Sequence, residues 1–237
     1  NSELRHTIGL DYIIKDYKVT NSSTVASSIG NSSGESVSFI LQNRLFYSTL
    51  NSLLIPKNGT LVSYDNFIET PTSSSNGSIK NVVTFKNYKK YDKNIFSIQT
   101  RLGNITSLND NDILTDDKFA LGGRWLRGFD SFGAGPRNSR TSYVGGNNLI
   151  VTKLDYSREL LRNSEFPIYL NIFNDYGLVW ENKTKPTNND NSLRSSAGFG
   201  IKYYSPIGPI GFSWGFPLQD ESYDIKRMFL FSIGNID

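Results

Sequence analysis

Cysteine is absent from the 237-residue chain, and histidine and methionine occur once each. Without cysteine there is no disulfide framework, no thiolate nucleophile and no sulfur-ligated metal. His6 alone cannot build a histidine metal cluster. It would also have to serve any Ser-His-Asp triad from a strand far in sequence from any Gly-flanked serine, so hydrolysis is not expected. No run of about eighteen apolar residues occurs, which excludes a transmembrane helix. It does not exclude a membrane barrel, whose strands need only about 9–11 tilted residues with alternate positions apolar. Excess charge of one sign is also lacking: 25 Lys+Arg stand against 22 Asp+Glu, dispersed along the chain, and nucleic acid is not indicated. The chain opens at Asn1-Ser-Glu-Leu4, without an initiator Met or signal-type segment, and reads as a mature or excised piece.

Hydrophobic residues make up 37%, low for a packed soluble core of this length, while aromatics reach 13%, which is high. Few aliphatics with many aromatics suit an apolar surface one residue thick better than a deep interior. The stretch Phe119 to Pro136 organises the rest. It holds Gly122, Gly123, Gly128, Gly133 and Gly135 beside the terminal proline, so it cannot be a regular strand or helix. It also carries Phe119, Trp125, Leu126, Phe129 and Phe132, too apolar for a solvated loop. A loop of this kind packs inside something.

Alternation predicts strands on both sides of it. They run from Leu4 to Val19, Val37 to Leu50, Leu61 to Ile68, Ile79 to Tyr91 and Ile95 to Ile105 before the loop. After it come strands around 149–159 and 167–180, then Ala197 to Tyr203, Ile210 to Phe216 and Phe229 to Ile233. That makes ten strands and no helix. Long Asn/Ser/Asp-rich connections (20–36, 71–78, 109–148, 181–194, 219–226) alternate with short turns (51–59, 92–94, 161–166, 205–209). A soluble sandwich and a membrane barrel both accept two-faced strands. Long loops at one end and short turns at the other favour the antiparallel transmembrane β-barrel. Tyr176, Trp180, Tyr203, Tyr204 and Trp214, near strand ends, suit an interfacial aromatic girdle.

The segment Leu121-Gly-Gly-Arg-Trp-Leu-Arg-Gly-Phe129, followed by Gly133-Ala-Gly-Pro136 and Gly145-Gly-Asn147, resembles the sixth extracellular loop of the BamA family of outer-membrane protein assembly factors. Ser157-Arg-Glu-Leu160, Phe173-Asn-Asp-Tyr-Gly177, Ser205-Pro-Ile-Gly-Pro209 and the ending Phe231-Ser-Ile-Gly234 continue the likeness, as does the turn Pro56-Lys-Asn-Gly59. The resemblance implies the last ten strands of a sixteen-stranded barrel in the bacterial outer membrane, without the POTRA domains and first strands. It implies a non-enzymatic insertase that needs no cofactor, nucleotide or metal. Its partners would be the lipid bilayer, unfolded outer-membrane clients and accessory assembly lipoproteins. Residues 119–148 would form a lumenal loop, with Arg127 clamped by Glu159 and Asp175 and flanked by Gly128 and Phe129. Gly122, Gly123, Gly135 and Pro136 belong to the same loop motif. The seam would lie at the terminal strand, on Phe229, Phe231, Ile233 and Gly234. One departure stands out: the chain ends Gly234-Asn-Ile-Asp237, where the family ends on an aromatic.

The parity of the strands agrees with that clamp, since Glu159 and Asp175 both fall on polar faces. Other readings fare less well. A TamA-like factor or a two-partner secretion barrel shares the architecture, but the Gly-Pro and Gly-Gly-Asn pieces favour the BamA family. A passive porin-type channel needs an open lumen, whereas Phe129 and Phe132 argue for a plug. Asp110-Asn-Asp112 and Asp116-Asp117 lack the glycine and glutamate of a calcium loop. Gly198-Phe-Gly200 and Gly133-Ala-Gly135 lack the third glycine and the helix of a dinucleotide fingerprint. Glycines on lumen faces instead give bend and room for the loop.

Overall fold

Period-2 alternation sustained over a dozen residues dictates long strands, and every backbone group of a strand needs a partner. The computed structural model describes residues 3–17, 34–72, 77–109, 113–137, 143–160, 165–181, 191–206 and 208–234. The acidic triplet at 110–112 and most of the long connections 20–36 and 181–194 lie outside them. The strands are β1 (Glu3–Tyr17), β2 (Gly34–Ser48), β3 (Gly59–Glu69), β4 (Ser78–Tyr91), β5 (Asn94–Ser107), β6 (Gly128–Phe129) and β7 (Asn148–Glu159). They continue as β8 (Ile168–Trp180), β9 (Arg194–Ser205), β10 (Gly208–Gln219), β11 (Lys226–Arg227) and β12 (Phe229–Ile233). Ten of them form one antiparallel sheet in the order β1-β2-β3-β4-β5-β7-β8-β9-β10-β12, and β6 pairs with β11. The chain folds as the expected antiparallel barrel wall.

One face of this wall is apolar and bare. Ile8, Leu10, Tyr12 and Ile14 on β1, Phe96 on β5, Ile172 on β8 and Phe199 on β9 are all exposed. In water this would be an aggregation surface; against hydrocarbon it is the ordinary lipid-facing set. Aromatic pairs cross it near the chain end, with Phe199 stacked on Trp214 at 5.6 Å, and Trp214–Phe229 and Phe212–Phe231 each at 5.3 Å.

The opposite face holds the core, and the core lies between wall and loop. Phe119, Leu121, Leu126, Phe129 and Ala134 from the loop pack on Val82, Ile105, Leu149, Val151 and Val179 from the wall. Phe129 is 1% exposed and fills space as expected, but Phe132 is 57% exposed and stands edge-on to Tyr143, so it is no part of a plug. Apolar side chains interrupt the lumen face at Val82, Val151 and Val179 because the loop covers them.

At the short-turn end lies a smaller cluster. The turn before β3 folds inward, with Asn51 accepting from the Lys57 and Asn58 amides at 2.9 and 2.8 Å. Leu50, Ile55 and Tyr204 then pack on Tyr88, Ile95 and Tyr169. Tyr204 therefore belongs to this inner cluster, edge-on to Tyr169 at 5.7 Å, and not to an outer girdle.

Candidate functional site, a clamped lumenal loop

The loop can enter the barrel because it is pinned at its stem and stripped of side chains where it must pass. Bridges Phe119↔Gly146 and Leu121↔Ala134 zip the stem. Gly122 sits at φ +125°, and a Cβ there would fall 1.9 Å from the Asp130 carbonyl oxygen, so only glycine fits. Gly123 opens the short 3-10 turn Gly123–Trp125 that aims the chain at the wall. Gly135 and Pro136 are buried beside Val179 and at the loop's return. The wall yields in turn: a Cβ on Gly215 would meet the Gly128 nitrogen at 2.6 Å and the Arg127 carbonyl carbon at 2.7 Å.

Arg127 lands on two carboxylates. Its Nε and Nη2 donate to Asp175 at 2.7 and 2.6 Å, and its own amide donates to Asp175 Oδ2 at 3.1 Å. Nη1 and Nη2 donate to Asp155 at 2.9 and 3.1 Å. The guanidinium carbon lies 3.5 Å over the Phe173 ring. Arg127 is 4% exposed and Asp175 fully buried, so these bonds are charge-assisted and shielded from water. Burial opposes the charge on Arg127, but the attraction of Asp155 and Asp175 outweighs it and raises its pKa further above the usual range. Lys153 and Lys202 supply positive charge near Asp155.

Glu159 is not in this clamp. Its carboxylate faces Lys57 and Lys90, each at 3.5 Å, where it ties the inward turn to the wall. The ladder explains why: Glu159 is paired with Tyr169, Asp155 with Phe173, and Lys153 with Asp175. Tyr169 is six positions from Asp175, about 20 Å along a strand. Asp155 is its diagonal neighbour and within reach of one guanidinium. Sequence reasoning missed Asp155 and Phe173; the parity that selected Glu159 selects Asp155 equally.

A second unexpected contact joins the loop to the end of the chain. β10 and β12 pair over only five residues, from Ile210↔Ile233 to Trp214↔Phe229, and the Gly215 amide extends the ladder to the Met228 carbonyl. Upstream of Met228 the chain leaves β10 and pairs with the loop tip instead, Lys226↔Phe129 and Arg227↔Gly128. The Asp130 amide donates to the Ile225 carbonyl and the Ile225 amide to the Gly133 carbonyl, both at 2.9 Å. Arg227 reaches Asp130 at 3.1 Å. Pro217 on β10 lacks the amide that a continuing ladder would need. Arg194 holds the same segment through Asp224 at 2.9 and 3.1 Å, with both side chains buried. Phe229, Phe231 and Ile233 face outward on the short final strand, and the Gly234 amide donates to Pro209 at 2.8 Å. His6 is exposed on β1.

The model of the Omp85 superfamily domain matches residues 2–236. The outer membrane protein assembly factor BamA of Nitratidesulfovibrio vulgaris is 27% identical over 236 residues, covering 96% of this chain and 29% of that protein. BamA of Neisseria meningitidis serogroup B is 30% identical over 145 residues, 46% of this chain and 17% of that protein. Among solved structures, BamA from Haemophilus ducreyi lacking POTRA domains 1-3 aligns with a TM-score of 0.76 at 20% identity. That alignment covers 96% of this chain and 50% of that one, and it shows a shared fold. The chain thus spans half or less of the length of these relatives.

Proposed function

Since the chain belongs to the Omp85 superfamily, we propose that it is the seam-bearing part of an outer-membrane protein assembly factor that inserts client barrels without catalysis. Its strands lie in the bacterial outer membrane. The observation that carries the reading is the weak final pairing, five residues between β10 and β12 against fifteen between β1 and β2. β12 ends the ten-stranded sheet, so the backbone groups on its far edge have no partner strand among the described residues, and in hydrocarbon each unsatisfied group costs several kcal/mol; the short inner ladder lets the strand move to meet another. An incoming client strand relieves that cost by adding to the edge. The buried, clamped loop braces the wall behind it, which a passive channel would not require. Accessory assembly lipoproteins are the expected partners.

Client capture tests this in the full-length parent. A photo-crosslinking residue at Leu230, on the lumen side of β12, should trap a client barrel during its assembly in membrane vesicles, whereas the same residue at Leu154 on β7 should not. Clients that assemble normally while neither position ever captures them would remove the seam from the mechanism.

A further inference from the structure

The bare face of the wall holds a hollow of about 570 Å³ that crosses β4, β5, β7, β8 and β9. Two neighbouring rows of outward side chains build it. Lys89, Phe96, Tyr156 and Ile172 are cross-strand partners along the first, and Ile98, Leu154, Asn174 and Ala197 along the second. The second row drops at its far end, where Asn174 and Ala197 are short while Ile172 and Phe199 beside them stand tall and exposed. The result is a trough at right angles to the strands, four strand spacings or about 19 Å long. Apolar walls and a length of this order fit an extended hydrocarbon chain.

One end of the trough is charged. Lys89 lies two residues from the end of β4 and Arg158 one residue from the end of β7, both exposed on this face at the short-turn end. The ladder sets their backbones two strands and two residues apart, about 12 Å, so that both long side chains can converge on one group. Among the described residues neither forms an ion pair, and Lys89 has only the Tyr91 ring, its Nζ 5.8 Å from the centroid. Their sequence neighbours Lys90 and Glu159 face the lumen and meet there, and Asp92, in the turn after β4, joins neither cation. Between the two cations, Phe96 stands edge-on to Tyr91 at 6.2 Å and tilts against Tyr156 at 5.2 Å. Aromatics of this kind sit at the level of lipid headgroups. Neither row of the trough contains a carboxylate.

We propose that the trough is a binding site for one anionic glycerophospholipid, its phosphate held between Lys89 and Arg158 and one acyl chain laid over Phe96, Ile98 and Leu154 towards Ala197. Two cations without ion pairs complement a headgroup of net negative charge, whereas the amine of a zwitterionic headgroup would find no carboxylate in the trough. The stems of Lys89 and Arg158 can lie along the aromatic shelf while their charged ends reach the headgroup. The site rests on the wall's place in the outer membrane and not on client capture.

The test counts lipids retained by the full-length parent, by native mass spectrometry from an uncharged detergent, after titration with phosphatidylglycerol or with phosphatidylcholine of the same acyl chains. One phosphatidylglycerol should bind saturably, and phosphatidylcholine about tenfold or more weakly. Lys89→Gln/Arg158→Gln should lower phosphatidylglycerol affinity about tenfold or more and abolish the preference, since each cation facing an anionic lipid contributes roughly fivefold. Ala197→Phe fills the trough without touching a charge, and should weaken both lipids about fivefold or more, the loss expected when one or two buried CH2 groups are displaced. Arg5→Gln, which removes an exposed cation on β1, should bind as the wild type does. Should the double variant fail to fold, Lys89→Gln alone and Ala197→Phe decide, with heat-modifiable mobility as the check on folding. Equal retention of the two lipids by the wild type, or unchanged phosphatidylglycerol affinity in a folded charge variant or in Ala197→Phe, would overturn the proposal and leave client capture at Leu230 unaffected.

Discussion

Replacing Arg127 by alanine should release the loop from the wall, and the structure sets the scale. Four side-chain hydrogen bonds to two carboxylates are lost. Asp175 is fully buried, so it cannot recover solvation in place. Breaking one side of a buried ion pair costs about 3–5 kcal/mol, mostly from the charge left behind. Asp155→Asn keeps the shape but removes one carboxylate charge, and should cost about 1.5–3 kcal/mol. Because both changes sever the same bonds, Arg127→Ala and Asp155→Asn should couple by about 1–3 kcal/mol, whereas Arg127→Ala and Glu159→Gln should add to within about 0.5 kcal/mol. The assay is the denaturant midpoint of heat-modifiable mobility in the full-length protein, with tryptophan fluorescence reporting loop release. Additive effects for Arg127 and Asp155, or strong coupling between Arg127 and Glu159, would refute the clamp as built here.

Gly215→Ala should cost about 1–3 kcal/mol by pushing its methyl into the Arg127–Gly128 backbone, while Gly9→Ala, whose nearest neighbour would be 3.6 Å away, should stay near neutral. Arg194→Ala should leave Asp224 buried and unpaired; amide exchange at Asp130 and Ile225 should then quicken, and unchanged exchange would deny that this pair holds the segment. Burial raises the pKa of Tyr143, which donates to the Phe119 carbonyl at 2.9 Å. A raised pKa makes its contribution complete below about pH 10, the unfolded value, and lost as pH climbs toward the folded value. Tyr143→Phe should therefore be less stable by about 1 kcal/mol at neutral pH, yet decline less steeply under alkaline conditions.

The wall was legible because alternation is a one-dimensional signal: Phe96, Ile98 and Leu102 declare their face without reference to any other strand. The loop was legible from a contradiction, apolar aromatics spaced by glycines, which only an enclosed loop resolves. Height along a strand was not legible. Parity places Asp155 and Glu159 on one face, and only the register with β8 tells which of them lies beside Asp175. The pairing of Lys226 and Arg227 with the loop tip escaped for a related reason, since two residues have no period. Arg194 and Asp224 escaped because a buried ion pair looks, in sequence, like two ordinary polar residues in connections. Tyr204 was misplaced because it lies one residue past Tyr203, and one residue reverses the face.

The divided course of the last strand gives it a mechanical polarity. Its upstream half is zipped to the loop tip and thence to Arg127, while its downstream half hangs on five ladder pairs and the Gly234–Pro209 bond. Pulled from the loop end, the strand must drag the whole clamp with it. Pulled from the Gly234 end, it can peel one pair at a time. Unzipping should therefore start at Gly234 and halt at Met228, so that one end of the strand frays while the other stays hinged.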